Sequence, residues 1–212
     1  MVNQVSNTSD DVLSKPDRVK MLLLLLLGSF NFEQKFKPAL IKILETYSSE
    51  SLNQASKEIN KIGCFNINEQ QKENLINDIV DNRMSFLLPE IERVTKEKIS
   101  NDISTANNKK ELINAIASSY AVSNDRVNAI KDIEQRTINN STRIETAKIS
   151  EIVGGVLVSD GQEFDEPCIE ADGQVWSLDY AGDNILQHPR CVRQFTFLSS
   201  DEVKEHGGFD RK

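Results

Sequence analysis

Histidine, cysteine and tryptophan are scarce in this 212-residue chain, which has two histidines, three cysteines and one tryptophan. An odd number of cysteines argues against a secreted framework of disulfide bonds. The glycine-rich phosphate loops, the His-Glu-x-x-His zinc motif and the Gly-x-Ser-x-Gly nucleophile motif are also absent. These absences argue against the nucleotide-binding and hydrolytic enzymes that use such motifs, and we expect a protein that is not an enzyme.

Long hydrophobic runs are absent too. The run from Met21 to Leu27 contains seven apolar residues, whereas a membrane-spanning helix needs about 20. Basic residues precede this run as they do in a signal peptide, but aspartates dilute their charge and no small-residue cleavage site follows. We therefore predict an N-terminal arm over residues 1–28, whose leucines pack against this chain or a neighbouring subunit, and no membrane partner.

Acidic residues outnumber basic residues, which gives the chain a net charge of −8 at neutral pH. Such a balance argues against a protein whose main task is to coat nucleic acid, because binding to phosphates needs a basic surface. The acidity is concentrated in residues 149–189, which hold nine acidic residues and no lysine; the first basic residue after this window is Arg190. The window is either a solvated acidic surface or a docking surface for a basic partner or a cation.

The central part of the chain, residues 29–152, has the periodicity of long helices. Apolar residues recur at helical spacing from Phe36 to Ile62, and Gly63 suits the end of that helix. Asn66 with Glu69 predicts the cap of a second long helix, which Pro89 should break or kink. A last long helix is predicted to start at a cap in residues 123–125.

The pattern changes at residue 153, where we predict a small β-rich module ending at residue 198, followed by a polar tail over 199–212. Gly154 and Gly155 are expected to end the preceding helix, and residues 156–158 to form a strand. Asp172-Gly173 is a hairpin signal, and residues 193–198 alternate as a strand does. The predicted fold class is therefore α+β, with long helices followed by a small C-terminal β-rich module.

The β-rich module gathers most of the scarce residues. Asp165, Cys168, His188 and Cys191 have the order Asp-x2-Cys-x19-His-x2-Cys. Thiolates and imidazole suit a tetrahedral zinc ion, so these four residues are one candidate metal site and zinc the one candidate cofactor. A disulfide or a close thiol pair between Cys168 and Cys191 is an equal alternative, and two buried thiols that merely pack are the third.

The segment 158–195 resembles the C-terminal signature of the phage Mu F-like minor head proteins, also called phage head morphogenesis proteins. Residues 141–150 also resemble an Arg-Thr-Glu-like element of that family, through Arg143 and Glu145. The resemblance covers about a third of the chain; Arg190 stands where the family has asparagine, and residues 1–120 match nothing in it. The signature positions are Asp160, Asp165, Cys168, Asp172, Gly173, Trp176, His188, Pro189, Cys191 and Arg193.

This resemblance implies a structural minor capsid protein of a bacteriophage, with a role in head morphogenesis and viral assembly. Its expected place is the virion, at the portal vertex or capsid interior, after assembly in the host cytoplasm. The implied partners are the phage portal protein, the major capsid protein, other copies of this chain and packaged DNA. The second hypothesis is a DNA-associated internal head protein that is ejected with the genome, although the acidic charge suits DNA poorly.

Overall fold

A computed structural model of the chain describes residues 37–105, 111, 133–160, 166–186 and 191–212. The N-terminal arm at residues 1–28 and the helix cap predicted at 123–125 lie outside the described residues. So do three residues of the candidate signature, Asp165, His188 and Pro189. Among the helices that the structure describes, none combines the length and the apolar character that a bilayer span requires.

Long helices form the first part of the described fold. Helix α1 covers Lys37–Ile62 and α2 covers Glu69–Thr105, while α3 is described over residues 133–150. The predicted helical spacing is confirmed in α1, where Leu44, Leu52 and Ile59 are buried. Gly63 follows the last residue of α1, as predicted, and its N–H donates to the carbonyl of Ile59 at 2.9 Å.

The cap of α2 differs from the prediction by two residues. The side chain of Asn68 accepts a hydrogen bond from the N–H of Gln71 at 2.9 Å, and the Gln71 side chain accepts from the N–H of Asn68 at 3.1 Å. This reciprocal pair is a capping box, so the predicted cap at Asn66 with Glu69 is wrong. The segment contains two asparagines, each followed three residues later by a Glu or Gln, and the spacing rule alone does not choose between them.

Pro89 does not break α2, because the helix continues to Thr105. A proline inside a helix removes one backbone hydrogen bond and costs about 3 kcal/mol. Leu87 and Ile91 are buried on either side of it, and their burial stabilises the helix through this position. Of the predicted break or kink at Pro89, the break does not occur.

A small antiparallel sheet follows the long helices. Its strands are β1, Val153–Ser159, β2, Val175–Trp176, and β3, Gln194–Ser199, in the order β2-β1-β3. The register places Val156 opposite both Trp176 and Phe197. This sheet and the preceding helices confirm the predicted α+β class. Three short helices accompany the strands: α4, Glu166–Ala171, α5, Leu178–Asp183, and α6, Ser200–Glu205.

The two glycine signals act differently from the prediction. Gly154 and Gly155 lie inside β1 and do not end the helix; a Cβ on Gly154 would lie 2.6 Å from the backbone of Ser200, so the chain can pass there only without a side chain. Asp172-Gly173 forms a turn with φ of +80° at Gly173. The turn follows helix α4, so it does not close a two-residue hairpin as expected.

The hydrophobic core joins the helices to the sheet. Ile59 of α1 and Ile144 of α3 are fully buried in the same cluster as Val156, Phe195 and Phe197. The hydroxyls of Ser48 and Thr142, on α1 and α3, are also within hydrogen-bond distance at 3.0 Å. The core therefore crosses residue 152, where the sequence analysis drew a boundary between a helical domain and a β-rich module.

The described residues belong to two compact units. One unit contains residues 37–40, 85–105 and 111, and the other contains 41–84, 133–160, 166–186 and 191–212. The second unit holds the sheet and also most of the expected polar tail: Val203 is buried, and the carbonyl of Arg211 accepts a hydrogen bond from the N–H of Ser177 at 2.9 Å. Residues 199–212 are thus part of a folded unit.

Candidate functional site

Three buried side chains from separate segments meet behind the sheet. Asp160, Cys168 and Cys191 place a carboxylate oxygen and two sulfurs within 4.8 Å of one another. The Sγ atoms of Cys168 and Cys191 are 3.9 Å apart, and Cys191 Sγ is 3.5 Å from Asp160 Oδ1. None of the three residues is more than 1% exposed. We call these residues the Asp-Cys-Cys cluster.

Each member of the cluster stands at the end of an element or in a short helix. Asp160 directly follows β1, and its N–H donates to the side chain of Asp172 at 2.9 Å. Cys168 is one of two buried residues of α4, and the other, Ala171, lies one turn further on. The turn after α4 returns the chain to β1, where the N–H of Gly173 donates to the carbonyl of Val158 at 2.9 Å.

Arg193 neutralises the carboxylate of the cluster. Its Nε lies 2.9 Å from both carboxylate oxygens of Asp160, and its Nη2 donates to Oδ2. The remaining nitrogen, Nη1, donates to the carbonyl of Asn184 at 2.7 Å. Both partners are buried, and an ion pair at such a depth is tolerated only when its hydrogen bonds are satisfied in this way.

The single tryptophan covers the guanidinium of Arg193. The Cζ atom of Arg193 lies 4.7 Å from the centre of the Trp176 ring, a cation–π arrangement. Tyr180 contacts the same ring edge-on with centroids 4.9 Å apart, and the indole N–H donates to Gln174 at 2.8 Å. Trp176 is therefore held on its faces and at its polar end.

Helix α3 holds the strand segment that carries Cys191 and Arg193. Along one face of α3, Arg136, Asn140 and Arg143 donate to the backbone carbonyls of alternate residues in the neighbouring segment. The acceptors are Cys191 at 3.2 Å, Arg193 at 3.0 Å and Phe195 at 2.8 Å. We call these three donors the α3 clamp. The sequence analysis missed Arg136 and Asn140, because polar residues are common along this helix and nothing in the sequence distinguishes these two.

Arg143 also pairs with Glu58 of α1. Two nitrogens of Arg143 donate to the two carboxylate oxygens of Glu58, at 2.9 and 2.6 Å, and the guanidinium lies 4.8 Å from the Phe197 ring centre. Burial tends to raise the pKa of Glu58, but the hydrogen bonds and charge of Arg143 outweigh it, so the pKa is lowered from 4.5. Glu145, the other residue of the family-like element, pairs instead with Lys148 at 3.2 Å.

The structure brings together part of the set expected from the sequence. Cys168 and Cys191 are in contact without a disulfide bond, while Asp165 and His188 lie outside the described residues. Asp160 and Arg193, expected only as signature positions, are the residues that complete the buried cluster with the two thiols. The carboxylate in the cluster is therefore Asp160.

A small cleft lies beside Arg193 in the described part of the chain. This cleft of about 120 Å³ is bordered by residues that include Trp176, Glu170 and Arg211. Pockets for small-molecule ligands usually measure roughly 300–1,000 Å³, so this cleft is small for a substrate. The reactive atoms of Cys168 and Cys191 are buried.

Comparison with known proteins adds no relative: no protein-family model, no curated protein and no solved structure matches this chain.

Proposed function

We propose that this protein is a structural minor head protein of a bacteriophage, associated with the portal vertex and the inner capsid. The proposal starts from the signature in residues 158–195. The strongest support for the proposal is that the described signature residues lie together in one network of contacts. Those residues are Asp160, Cys168, Asp172, Gly173, Trp176, Cys191 and Arg193.

The character of this network favours a structural role over a catalytic one. The carboxylate of Asp160 and the guanidinium of Arg193 pair with each other, and the two thiols are buried beside this ion pair. A nucleophile or general base must reach its substrate within hydrogen-bond distance. A signature made of inward-facing, paired groups instead specifies a fold, which is what an assembly component needs in order to present a fixed surface.

The acidic surface is consistent with a protein partner. The exposed residues of the sheet-bearing unit include Glu166, Glu170, Asp179 and Asp183, all from the acidic window. Such a surface complements a basic patch on a capsid or portal subunit and is repelled by DNA. We therefore favour a contact with the portal or the capsid protein over a contact with packaged DNA.

Quantitative mass spectrometry of purified virions, before and after DNA ejection, tests this proposal. We expect a low and fixed ratio of this chain to the portal protein, retained in emptied heads. Loss of the chain together with the DNA would favour the ejected internal head protein. Absence from virions in both samples would reject a virion role.

A pair of variants links the buried network to incorporation. Arg193→Met removes the partner of Asp160, whereas Lys204→Met removes an exposed ion pair with Asp201. We expect the first variant to be depleted from virions and the second to be incorporated as in the parent phage. Equal incorporation of both variants would contradict a role for the network in assembly.

A further inference from the structure

Two of the three distances within the Asp-Cys-Cys cluster match those between ligands of a tetrahedral metal ion. Zinc binds thiolate at about 2.3 Å and carboxylate oxygen at about 2.0 Å. Tetrahedral angles then place two sulfurs about 3.8 Å apart and a sulfur about 3.5 Å from an oxygen. The corresponding distances are 3.9 Å between Cys168 and Cys191 and 3.5 Å between Cys191 and Asp160.

We propose that Asp160, Cys168 and Cys191 bind one divalent, thiophilic cation of the Zn²⁺ type. The third pair, Cys168 Sγ and the Asp160 oxygen, lies within 4.8 Å, and a bound ion would draw these two atoms closer together. A tetrahedral ion held by these three residues keeps one position for a further ligand. Thiolate ligands select zinc over the hard cations magnesium and calcium, which prefer oxygen. This site differs from the set expected from the sequence, because Asp160 supplies the carboxylate.

The charge of the buried cluster is balanced in both states. When both thiols carry their protons, the cluster contains only the opposite charges of the Asp160–Arg193 ion pair, and the sum is zero. A divalent cation that displaces both thiol protons adds two positive charges and creates two thiolates, so the sum remains zero. The exchange therefore leaves no net charge in a site where each ligand residue is at most 1% exposed.

Arg193 prepares the carboxylate for this role. Its Nη2 donates to Oδ2 of Asp160 and its Nε lies 2.9 Å from both carboxylate oxygens, while Oδ1 is the oxygen that faces the sulfur of Cys191. A carboxylate that binds metal through one oxygen commonly has a hydrogen-bond partner on the other, and this partner fixes its orientation. Arg193 is thus a positioning residue for the site.

Cobalt(II) titration of the full-length, reduced protein tests the site. Cobalt replaces zinc in tetrahedral sites, and thiolate ligands give it a charge-transfer band whose intensity grows with the number of sulfurs. We expect one cobalt per chain, a band of two-thiolate intensity, and bleaching of the band when Zn²⁺ is added. A folded, reduced protein that gives no such band would overturn the proposal.

The third cysteine provides a control outside the cluster. The chain has three cysteines, and Cys64 is exposed. If Cys64→Ser keeps the full two-thiolate band, Cys168 and Cys191 are the sulfur ligands, and this assignment needs no substitution in the core. A band that is lost or halved in Cys64→Ser would overturn it.

Direct substitution gives a second readout. We expect Cys191→Ser to lose the two-thiolate band, and the melting temperature of the wild type, but not of this variant, to rise with zinc concentration. A full band in a folded Cys191→Ser variant would exclude the site. If this variant does not fold, the wild type and Cys64→Ser decide alone. The test is independent of the virion proposal, since a metal can bind whatever the protein assembles with.

Discussion

Arg193 makes more hydrogen bonds and ring contacts than any other side chain described above. It pairs with Asp160, donates to the carbonyl of Asn184 and lies against the ring of Trp176. Replacing a buried ion pair as a whole can be nearly neutral, but removing one partner leaves an uncompensated charge. The cost of a substitution here therefore depends on whether Asp160 keeps its charge.

We expect Arg193→Met to lower the free energy of unfolding by about 3–5 kcal/mol, because Asp160 is left as an unpaired buried carboxylate. Urea denaturation at neutral pH, followed by circular dichroism, measures the change. The double variant Asp160→Asn/Arg193→Met should lose less than the two single variants together.

The control for this cycle is Lys204→Met, which removes the exposed pair with Asp201. Its unfolding midpoint should stay near that of the wild type, because surface ion pairs contribute little. Strict additivity in the Asp160 and Arg193 cycle would show that the two charges do not depend on each other.

The pairing of Glu58 with Arg143 makes part of the stability depend on pH. The folded-state pKa of Glu58 lies below its ordinary value of 4.5. The carboxylate therefore stabilises the fold at all pH values above 4.5, and this stabilisation is lost as the pH falls from 4.5 through the folded-state pKa.

Glu58→Gln should accordingly be less stable than the wild type at neutral pH, and the difference should shrink once the pH falls below 4.5. Chemical denaturation at a series of pH values measures it. Glu45→Gln removes an exposed carboxylate from the same helix and serves as the control. A difference for Glu58→Gln that stays constant down to strongly acidic pH would contradict the assignment.

Individual residues of the site were partly predictable. The contact between Cys168 and Cys191 was one of three alternatives that the sequence left open. The partnership of Asp160 with Arg193 does not follow from the sequence, because it joins residues 33 positions apart, and sequence spacing carries no information on which of several nearby carboxylates will be buried. The roles of Arg136 and Asn140 are hidden for the same reason.

At the scale of elements, α3 is the part that organises the second unit. One face packs Ile144 and Ala147 into the core, and the α3 clamp holds the backbone of residues 191–195. Three donors at helical spacing match three carbonyls at the two-residue spacing of an extended chain. This match positions residues 191–195, the segment that leads into β3, against the helix.

The helical spacing of α1 and the strand predicted at residues 193–198, observed as Gln194–Ser199, were correctly predicted, because each depends on a local period of apolar residues. The boundaries were less accurate. Gly154 and Gly155 were interpreted as a helix end, yet their small size is needed inside β1, where Ser200 approaches the backbone. Such a requirement comes from a distant segment and leaves no local trace.

The corrected cap of α2 gives a prediction at this scale. Asn68→Ala should lower the free energy of unfolding by about 1 kcal/mol, because the N–H of Gln71 loses its acceptor. Asn66→Ala is the matched control, two residues away and exposed, and it should have little effect. Thermal unfolding of the two variants separates them; the reverse order of stability would restore the cap first expected from the sequence.

At the scale of the molecule, the sheet shares a core with α1 and α3. The buried faces of β1 and β3 pack in the same cluster as Ala55 and Ile59 of α1, and about 45 residues of β-rich chain offer little core of their own. The described contacts show that packing on α1 and α3 supplies this core.

A fragment of residues 153–212 should therefore fail to fold by itself. Without the helices it exposes Phe195 and Phe197 and loses the α3 clamp. We expect narrow amide dispersion in its ¹H–¹⁵N NMR spectrum, against a dispersed spectrum for the same residues in the full chain. A dispersed spectrum for the isolated fragment would show that the segment is an autonomous domain.

Trp176 is positioned to serve as an intrinsic fluorescence probe of the buried ion pair. The chain has one tryptophan, so all of its indole fluorescence arises from a ring that is 3% exposed and stacked on Arg193. The emission of the native state should lie towards the blue and shift to the red when water reaches the ring. A change in colour or intensity with unchanged far-ultraviolet circular dichroism would then report an event at the buried ion pair itself, in a purified sample or inside an assembling particle.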